Sequence, residues 1–201
     1  GHVATSDTDL DAPGKAAAVT AMFAYFLAQG IVWAYLFLIG TSAGIGEQVV
    51  ANGLMLSQFF GIGGAFVATL LGARFGRVAP LVVGILGGAL VLSGLLTAFG
   101  AVTYAVTVCA YNFAWNMTHP YLLASMASFD ASGRLVSTAV AAQMIGLAVG
   151  PAVAAQLLQD DSYDRVVWAA MAIFMISLLL IVLPTLAHNR RAGQPVHAAP
   201  Q

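Results

Sequence analysis

The sequence predicts an all-α membrane protein in which six transmembrane helices form two inverted three-helix repeats. Three observations lead to this fold class. Only 7% of the 201 residues are charged and 60% are hydrophobic, whereas a soluble domain carries about 25% charged residues. Six apolar stretches reach the length of about 20 residues that a helix needs to cross a bilayer. Polar side chains recur with a period of three stretches, which is the pattern of an inverted repeat.

The six predicted transmembrane segments are separated by short links. Their approximate bounds are 16–39, 49–71, 79–99, 102–127, 135–158 and 166–187. Residues 1–15 and 188–201 are predicted to be polar tails outside the membrane. The first tail is not expected to be a signal peptide, because it is acidic and lacks a basic start before an apolar run.

The basic residues predict the orientation of the chain. With six segments, one side of the membrane receives Lys15, Arg74, Arg77, Arg134, Arg190 and Arg191. The opposite links carry Glu47, Asp160, Asp161 and Asp164, with Arg165 as the exception. Because cytoplasmic loops are enriched in Lys and Arg, both termini are expected in the cytoplasm of a multi-pass protein of the inner (plasma) membrane.

The fourth segment interrupts its apolar run with Asn112, Asn116, His119 and Pro120. A hydrocarbon interior penalises such groups unless they face protein or a wet cavity. The spacing i, i+4, i+7 places the two asparagines and the histidine on one face of a helix. We interpret this face as the lining of a solute pathway. The alternative for the asparagines is a hydrogen bond between helices.

Other segments carry polar or aromatic side chains in the same manner. The first and fifth segments contribute Tyr25, Gln29, Trp33 and Gln143, and the second contributes Asn52 and Gln58. The third and sixth segments hold only hydroxyl side chains, which can bond to their own helix. The predicted substrate-binding residues are Tyr25, Gln29, Trp33, Asn112, Asn116, His119 and Gln143. Two segments with amide or aromatic side chains are followed by one that has only hydroxyl side chains, and this order occurs twice. The repetition favours two equivalent three-helix units.

The link between the second and third segments resembles the cytoplasmic signature loop of the major facilitator superfamily, G-x-L-A-D-R-x-G-R-K-x-x-L. The matching positions are Leu71, Arg74, Gly76, Arg77 and Leu81. Thr69, Ala73 and Val78 stand where the pattern has Gly, Asp and Lys. The run 129–134, followed by Gly146-Leu147-Ala148-Val149-Gly150-Pro151, is similar to the connection between the family's tenth and eleventh helices and to its eleventh helix.

This resemblance covers residues 15–187 and implies the C-terminal six-helix half of a twelve-helix secondary transporter. Residues 1–14 are then expected to be the end of the central linker. The expected partners are the lipid bilayer, a small-molecule substrate, and an N-terminal six-helix half or a second six-helix subunit. The missing Asp at Ala73 puts the loop's charge relay in doubt, and the alternative role of Arg74 and Arg77 is to bind anionic headgroups.

The residue types of the pathway suggest what passes through it. Amides both donate and accept hydrogen bonds, and they suit a small neutral or amphipathic organic solute that moves by alternating access. Histidine as a residue type changes its charge near neutral pH, so His119 is a candidate for proton coupling, and the alternative is a helix–helix hydrogen bond. No nucleophile, acid–base pair, metal-ligand set or cofactor motif indicates an enzyme. A net charge of −1 with no basic patch gives no sign of nucleic-acid binding. A non-transporting scaffold or accessory subunit remains the alternative function.

Overall fold

The structure, a computed structural model, describes residues 9–96, 99–158 and 162–192, most of which form helices joined by short turns and loops. These ranges contain no β-strand. The helices are α1 (Ala12–Trp33), α2 (Leu36–Ser42), α3 (Glu47–Leu71), α4 (Val78–Leu92), α5 (Ala101–Phe129), α6 (Arg134–Leu157) and α7 (Asp164–Ala192). A short 3₁₀ turn, Ser93–Leu95, follows α4. The predictions for 1–8, 97–98, 159–161 and 193–201 lie outside the described residues.

Most of these helices can span a bilayer. Among the described residues, five helical stretches are long and apolar enough: Ala12–Ser42, Glu47–Leu71, Val78–Leu95, Arg134–Leu157 and Asp164–Arg190. Helix α5 has 29 residues, which is also long enough, but its amides, imidazole and phenols lower its hydropathy. The fold is therefore that of an all-α, multi-pass membrane protein.

The first predicted segment is two helices rather than one. Helix α1 ends at Trp33, and α2 starts at Leu36 after a tight turn in which the Tyr35 amide bonds to the Val32 carbonyl. Neither proline nor glycine marks this break. The Tyr104 hydroxyl of α5 donates to the Leu36 carbonyl at 2.8 Å, so a contact distant in sequence holds the start of α2 in place. Hydropathy alone cannot reveal such a contact.

Two other predicted boundaries differ from the structure. Helix α7 continues to Ala192, five residues beyond residue 187, where the sixth segment is predicted to end. The His188 ring is buried and contacts Phe129 edge to face, which keeps this last turn helical. The third segment was predicted to end near residue 99, but its last helical turn ends at Leu95.

Two helices, α1 and α5, each pack along two other helices of the bundle. Helix α1 packs along α6 and α7, α5 packs along α3 and α4, and α4 also packs against α7. Glycines allow the closest approaches, as expected for helices in lipid. An added Cβ at Gly150 would lie 2.6 Å from the Gly30 backbone, and one at Gly64 would overlap the Phe113 carbonyl. Glycine contacts therefore join α6 to α1 and α3 to α5.

Lys15, Arg74, Arg77 and Arg134 lie at one end of this bundle, which we call the basic end, whereas Arg165 lies at the start of α7. At the basic end, Lys15 at the start of α1 contacts Asp130 at the end of α5, and Tyr121 of α5 bonds to Ala68 near the end of α3. The opposite end holds α2, where Tyr35 lies beside Tyr163. Arg74, Arg77 and Arg134 flank helix termini at the basic end.

Candidate functional site on helix α5

Helix α5 makes polar contacts with four other helices. Its side chains bond to Gln29 of α1, Leu36 of α2, Ser57 of α3 and Gln143 of α6. A typical hydrogen bond between membrane helices contributes only about 0.6 kcal/mol. However, an unpaired polar group in hydrocarbon costs several kcal/mol. These polar side chains are thus tolerated inside the bundle because each one has a partner.

The first polar group joins α1 to α5. The Tyr111 hydroxyl donates to the Gln29 side-chain carbonyl, and both side chains are buried. The Tyr25 hydroxyl lies within hydrogen-bonding reach of Gln29 and Thr118. Phe174 of α7 packs edge-on against Tyr25 and Tyr111, with ring centroids 5.4 and 6.4 Å away. This group is a closed, fully packed part of the core.

The second polar group joins α5 to α3. Asn112 donates to the Ser57 carbonyl at 3.0 Å and to its hydroxyl at 3.3 Å. Asn116 donates in turn to the Asn112 side-chain carbonyl at 2.8 Å and to its backbone carbonyl at 2.9 Å. Gly61 faces both amides, and a Cβ at Gly61 would lie 2.7 Å from the Asn116 nitrogen. Glycine at this position therefore leaves room for the amide pair.

The third polar group joins α5 to α6. The His119 Nε2 lies 3.1 Å from the Gln143 side-chain carbonyl. The imidazole also packs edge-on against Phe26 of α1, with ring centroids 5.1 Å apart. Helices α5 and α6 otherwise touch at few points. This hydrogen bond is consequently a main link between them.

The seven predicted substrate-binding residues differ in exposure. Four of them are buried and hydrogen-bonded: Tyr25, Gln29, Asn112 and Gln143. Asn116 and His119 are partly exposed, and Trp33 is 38% exposed. Trp33 contacts the partly exposed Trp115 edge to face, with centroids 5.7 Å apart. The accessible part of the site is a strip formed by Trp33, Trp115, Asn116 and His119, which we call the α5 strip.

The structure does not place all predicted amides around one space. Gln29 belongs to the first polar group, whereas Asn112 and Asn116 belong to the second. Asn52 and Gln58 of α3 are exposed, and Asn52 accepts a hydrogen bond from Gln48. Of the buried amides, Asn112 and Gln143 hydrogen-bond to Asn116 and His119 of the α5 strip, whereas Gln29 bonds to Tyr111.

Sequence reasoning missed three residues that hold the site together, namely Ser57, Tyr104 and Thr118. Ser57 and Thr118 bond to their own helices, at Leu54 and Ala114, as such hydroxyls commonly do. Ser57 belongs to the site only because its carbonyl and hydroxyl oxygens also accept hydrogen bonds from Asn112 of α5. No local sequence signal distinguishes these residues from ordinary packing residues.

A charged cluster lies at the basic end of α5. Asp130 accepts from Lys15 at 3.0 Å, from the Ser132 hydroxyl at 2.6 Å and from the Leu135 amide at 3.1 Å. Asp9 lies 3.7 Å from the Lys15 ammonium. The Ser132 and Lys15 hydrogen bonds hold the pKa of Asp130 well below its usual value. This cluster fixes the start of α1 to the turn between α5 and α6.

The predicted signature loop lies at the same end. Arg74 is exposed and Arg77 is partly buried. Gly72 and Gly76 have φ angles of +51° and +66°, a conformation that residues with a Cβ rarely adopt. The glycines therefore set the shape of the loop that presents the arginines.

The described residues contain no group of three or more His, Cys, Asp or Glu side chains that could hold a metal. Comparison with known proteins does not assign a function to these sites: no protein-family model matches the chain, and no curated protein matches it.

Proposed function

We propose that this chain is one six-helix half of a secondary active transporter similar to those of the major facilitator superfamily. It moves a small neutral or amphipathic organic solute by alternating access, together with an N-terminal half or a second six-helix subunit. The observation that carries the proposal is the α5 strip, where Asn116 and His119 are only partly covered in the middle of a helix long enough to cross the bilayer. Polar groups at membrane depth mark solute pathways when they border water.

The pairing of the helices supports an inverted repeat. We take α1–α2, α3 and α4 as the first triplet and α5, α6 and α7 as the second, so that α1 corresponds to α5, α3 to α6 and α4 to α7. When corresponding helices are exchanged, the α1–α6 contact becomes the α5–α3 contact, and the α1–α7 contact becomes the α5–α4 contact. The α4–α7 contact is unchanged. Glycines of the second helix of each triplet, Gly64 and Gly150, make the closest contact in each case. In transporters built from such repeats, the substrate site lies near the midplane of the bilayer, at the interface between the repeats.

The composition of the α5 strip favours the proposed solute class. Asn116 offers an amide that is polar but uncharged, and Trp33 and Trp115 offer flat apolar faces. No Lys or Arg belongs to the strip. A neutral or amphipathic molecule can bind there weakly and leave again, which transport requires.

His119 is the group through which we propose proton coupling. It is partly exposed, and one ring nitrogen already contacts Gln143 of α6. Protonation makes both ring nitrogens donors, so it changes the link between α5 and α6. A change of that kind connects proton uptake to helix movement.

The proposed location is the inner (plasma) membrane, with both termini in the cytoplasm. Support comes from the basic end, where Lys15, Arg74, Arg77 and Arg134 gather. Lys and Arg are enriched on the cytoplasmic side of membrane proteins.

A second candidate, a non-transporting scaffold subunit, is favoured by one observation. Four of the seven predicted substrate-binding residues are buried and already hydrogen-bonded within the bundle. In a scaffold, the same polar groups only specify how the helices pair.

Transport by cells that produce the intact protein tests the proposal. Uptake and efflux of a panel of neutral and amphipathic solutes are measured for Asn116→Leu, His119→Leu and the control Phe59→Leu, a change of an exposed side chain on α3. We expect Asn116→Leu to slow transport of at least one solute by about tenfold, the equivalent of about 1.4 kcal/mol. We expect His119→Leu to abolish pH dependence. Unchanged rates and unchanged pH dependence in both variants would favour the scaffold.

A further inference from the structure

A hollow of about 250 Å³ lies at the basic end between α3, the α3–α4 loop and α5. Its walls are formed by Ala68, Gly72, Ala73, Arg77, Pro120, Tyr121 and Ala124. We call it the Arg77 hollow. It is separate from the α5 strip, and nothing in the proposed transport step uses it.

The arginines beside this hollow have no acidic partner in the described part of the chain. Among the residues that the structure describes, neither Arg74 nor Arg77 has a carboxylate within 4.0 Å, whereas Lys15 at the same end lies 3.0 Å from Asp130. The position before Arg74, which the superfamily's loop pattern fills with Asp, is Ala73. Helix α4 starts directly after Arg77 without a side-chain cap, and helix starts carry a partial positive charge. The loop is therefore an uncompensated positive site.

The surroundings of the arginines are apolar. Phe75 lies between them in sequence and is 65% exposed. Pro120 and Ala124 form the exposed wall of the hollow on α5. The loop that carries the arginines thus also exposes an apolar ring. A ligand here meets positive charge on one side and an apolar wall on the other.

We propose that the Arg77 hollow binds the phosphate headgroup of an anionic membrane phospholipid. Guanidinium groups bind phosphate oxygens in pairs of hydrogen bonds, and basic pockets between transmembrane helices take anionic headgroups. The acyl chains of the lipid then lie along Pro120 and Ala124. A lipid is favoured over a free phosphate compound because a lipid can contact both parts of the hollow, with its phosphate at the guanidinium groups and its acyl chains along the apolar wall.

Lipid binding to the full chain, purified in a neutral detergent, tests this proposal. Binding of phosphatidylglycerol and phosphatidylcholine is measured by native mass spectrometry for the unmodified protein, for Arg74→Gln with Arg77→Gln, and for Arg134→Gln. Arg134 is an exposed basic residue at the same end of the bundle that does not line the hollow, so it is the matched control. Competition with inorganic phosphate separates a lipid site from a general anion site.

We expect selective retention of phosphatidylglycerol. Each basic residue near the membrane surface contributes about 1 kcal/mol of attraction, so the double variant should bind it roughly 25-fold more weakly. The Arg134→Gln protein should bind like the unmodified protein. Equal weakening by Arg134→Gln would overturn the proposal in favour of nonspecific charge attraction. Displacement of the lipid by millimolar inorganic phosphate would overturn the choice of a lipid as ligand.

Discussion

Asp130 shows how one side chain can organise the end of a helix bundle. Its carboxylate accepts hydrogen bonds from Lys15, Ser132 and the Leu135 amide, and only 8% of the residue is exposed. The bond to the Leu135 amide satisfies a backbone donor in the first turn of α6, which otherwise lacks a helical partner. The same carboxylate holds Lys15 of α1. Loss of its charge should thus loosen both helices together.

We predict that Asp130→Asn lowers the free energy of unfolding in detergent by about 1–2 kcal/mol at pH 7, because hydrogen bonds to a charged group are lost in a partly solvated site. The low pKa of Asp130 in the folded state means that its contribution is present in full above the pKa of an unfolded Asp, about 3.9. It fades as the pH falls towards the folded-state value. Unfolding curves from pH 7 down to pH 3 measure the difference, which should shrink at the acid end.

Lys15→Gln provides the control for this prediction. Lys15 is the only cation whose ion pair with Asp130 the described residues contain. We expect Lys15→Gln to destabilise the unmodified protein and to add little in the Asp130→Asn background. Additive effects of the two substitutions would show that the carboxylate and the ammonium act independently.

Glycine contacts decide how close the helices come. Gly64 of α3 lies against the Phe113 and Met117 backbone, and Gly150 of α6 lies against Gly30. Backbone atoms cannot swing aside as the end of a flexible side chain can. A methyl group at either position must therefore push two helices apart.

We predict that Gly64→Ala and Gly150→Ala each destabilise the protein by about 1–3 kcal/mol, the usual cost of overpacking. Gly87→Ala in α4 is the matched control, because nothing lies within 4 Å of its added Cβ. Because alanine has a higher helix propensity than glycine, we expect Gly87→Ala to leave the free energy of unfolding unchanged or to raise it by about 0.5–1 kcal/mol. Thermal unfolding in detergent measures the stability of all three variants. A similar loss for the control would mean that helix contacts are not the cause.

The elements also show what a sequence can and cannot predict. Segment positions follow from hydropathy, because a hydrocarbon solvent admits few charged or unpaired polar groups. The break at Ala34 and Tyr35 could not be predicted, since it depends on Tyr104 bonding to Leu36 across the bundle. The last turn of α7 was missed because burial of His188 against Phe129, not hydropathy, keeps it helical.

For the candidate site, sequence identified the polar side chains but not their arrangement. The i, i+4 spacing places Asn112 and Asn116 on one face of α5, and the two amides do bond to each other. The spacing does not reveal that Ser57 covers Asn112 while the Asn116 side chain remains partly exposed. Exposure depends on the packing of α3, which only the three-dimensional structure provides.

At the scale of the whole molecule, the account depends on water reaching the α5 strip. Apolar side chains cover most of the outer surface of the bundle, including Phe59 and Phe66 of α3. Asn116 and His119 lie partly open at mid-helix. In a transporter half these groups border a wet cavity, whereas in a lipid-embedded scaffold they do not. Solvent access at their depth thus separates the two functions.

Cysteine accessibility measures this directly. In a Cys109→Ala background, which removes the single native thiol, Asn116→Cys, His119→Cys and Phe59→Cys are each treated in membranes with a water-soluble thiol reagent. Phe59 is 64% exposed near the middle of α3, and its apolar side chain makes it the comparison site for a position that water is not expected to reach. We predict rapid labelling at 116 and 119 and almost none at 59. Labelling at 116 and 119 that is as slow as at 59 would contradict the solute pathway.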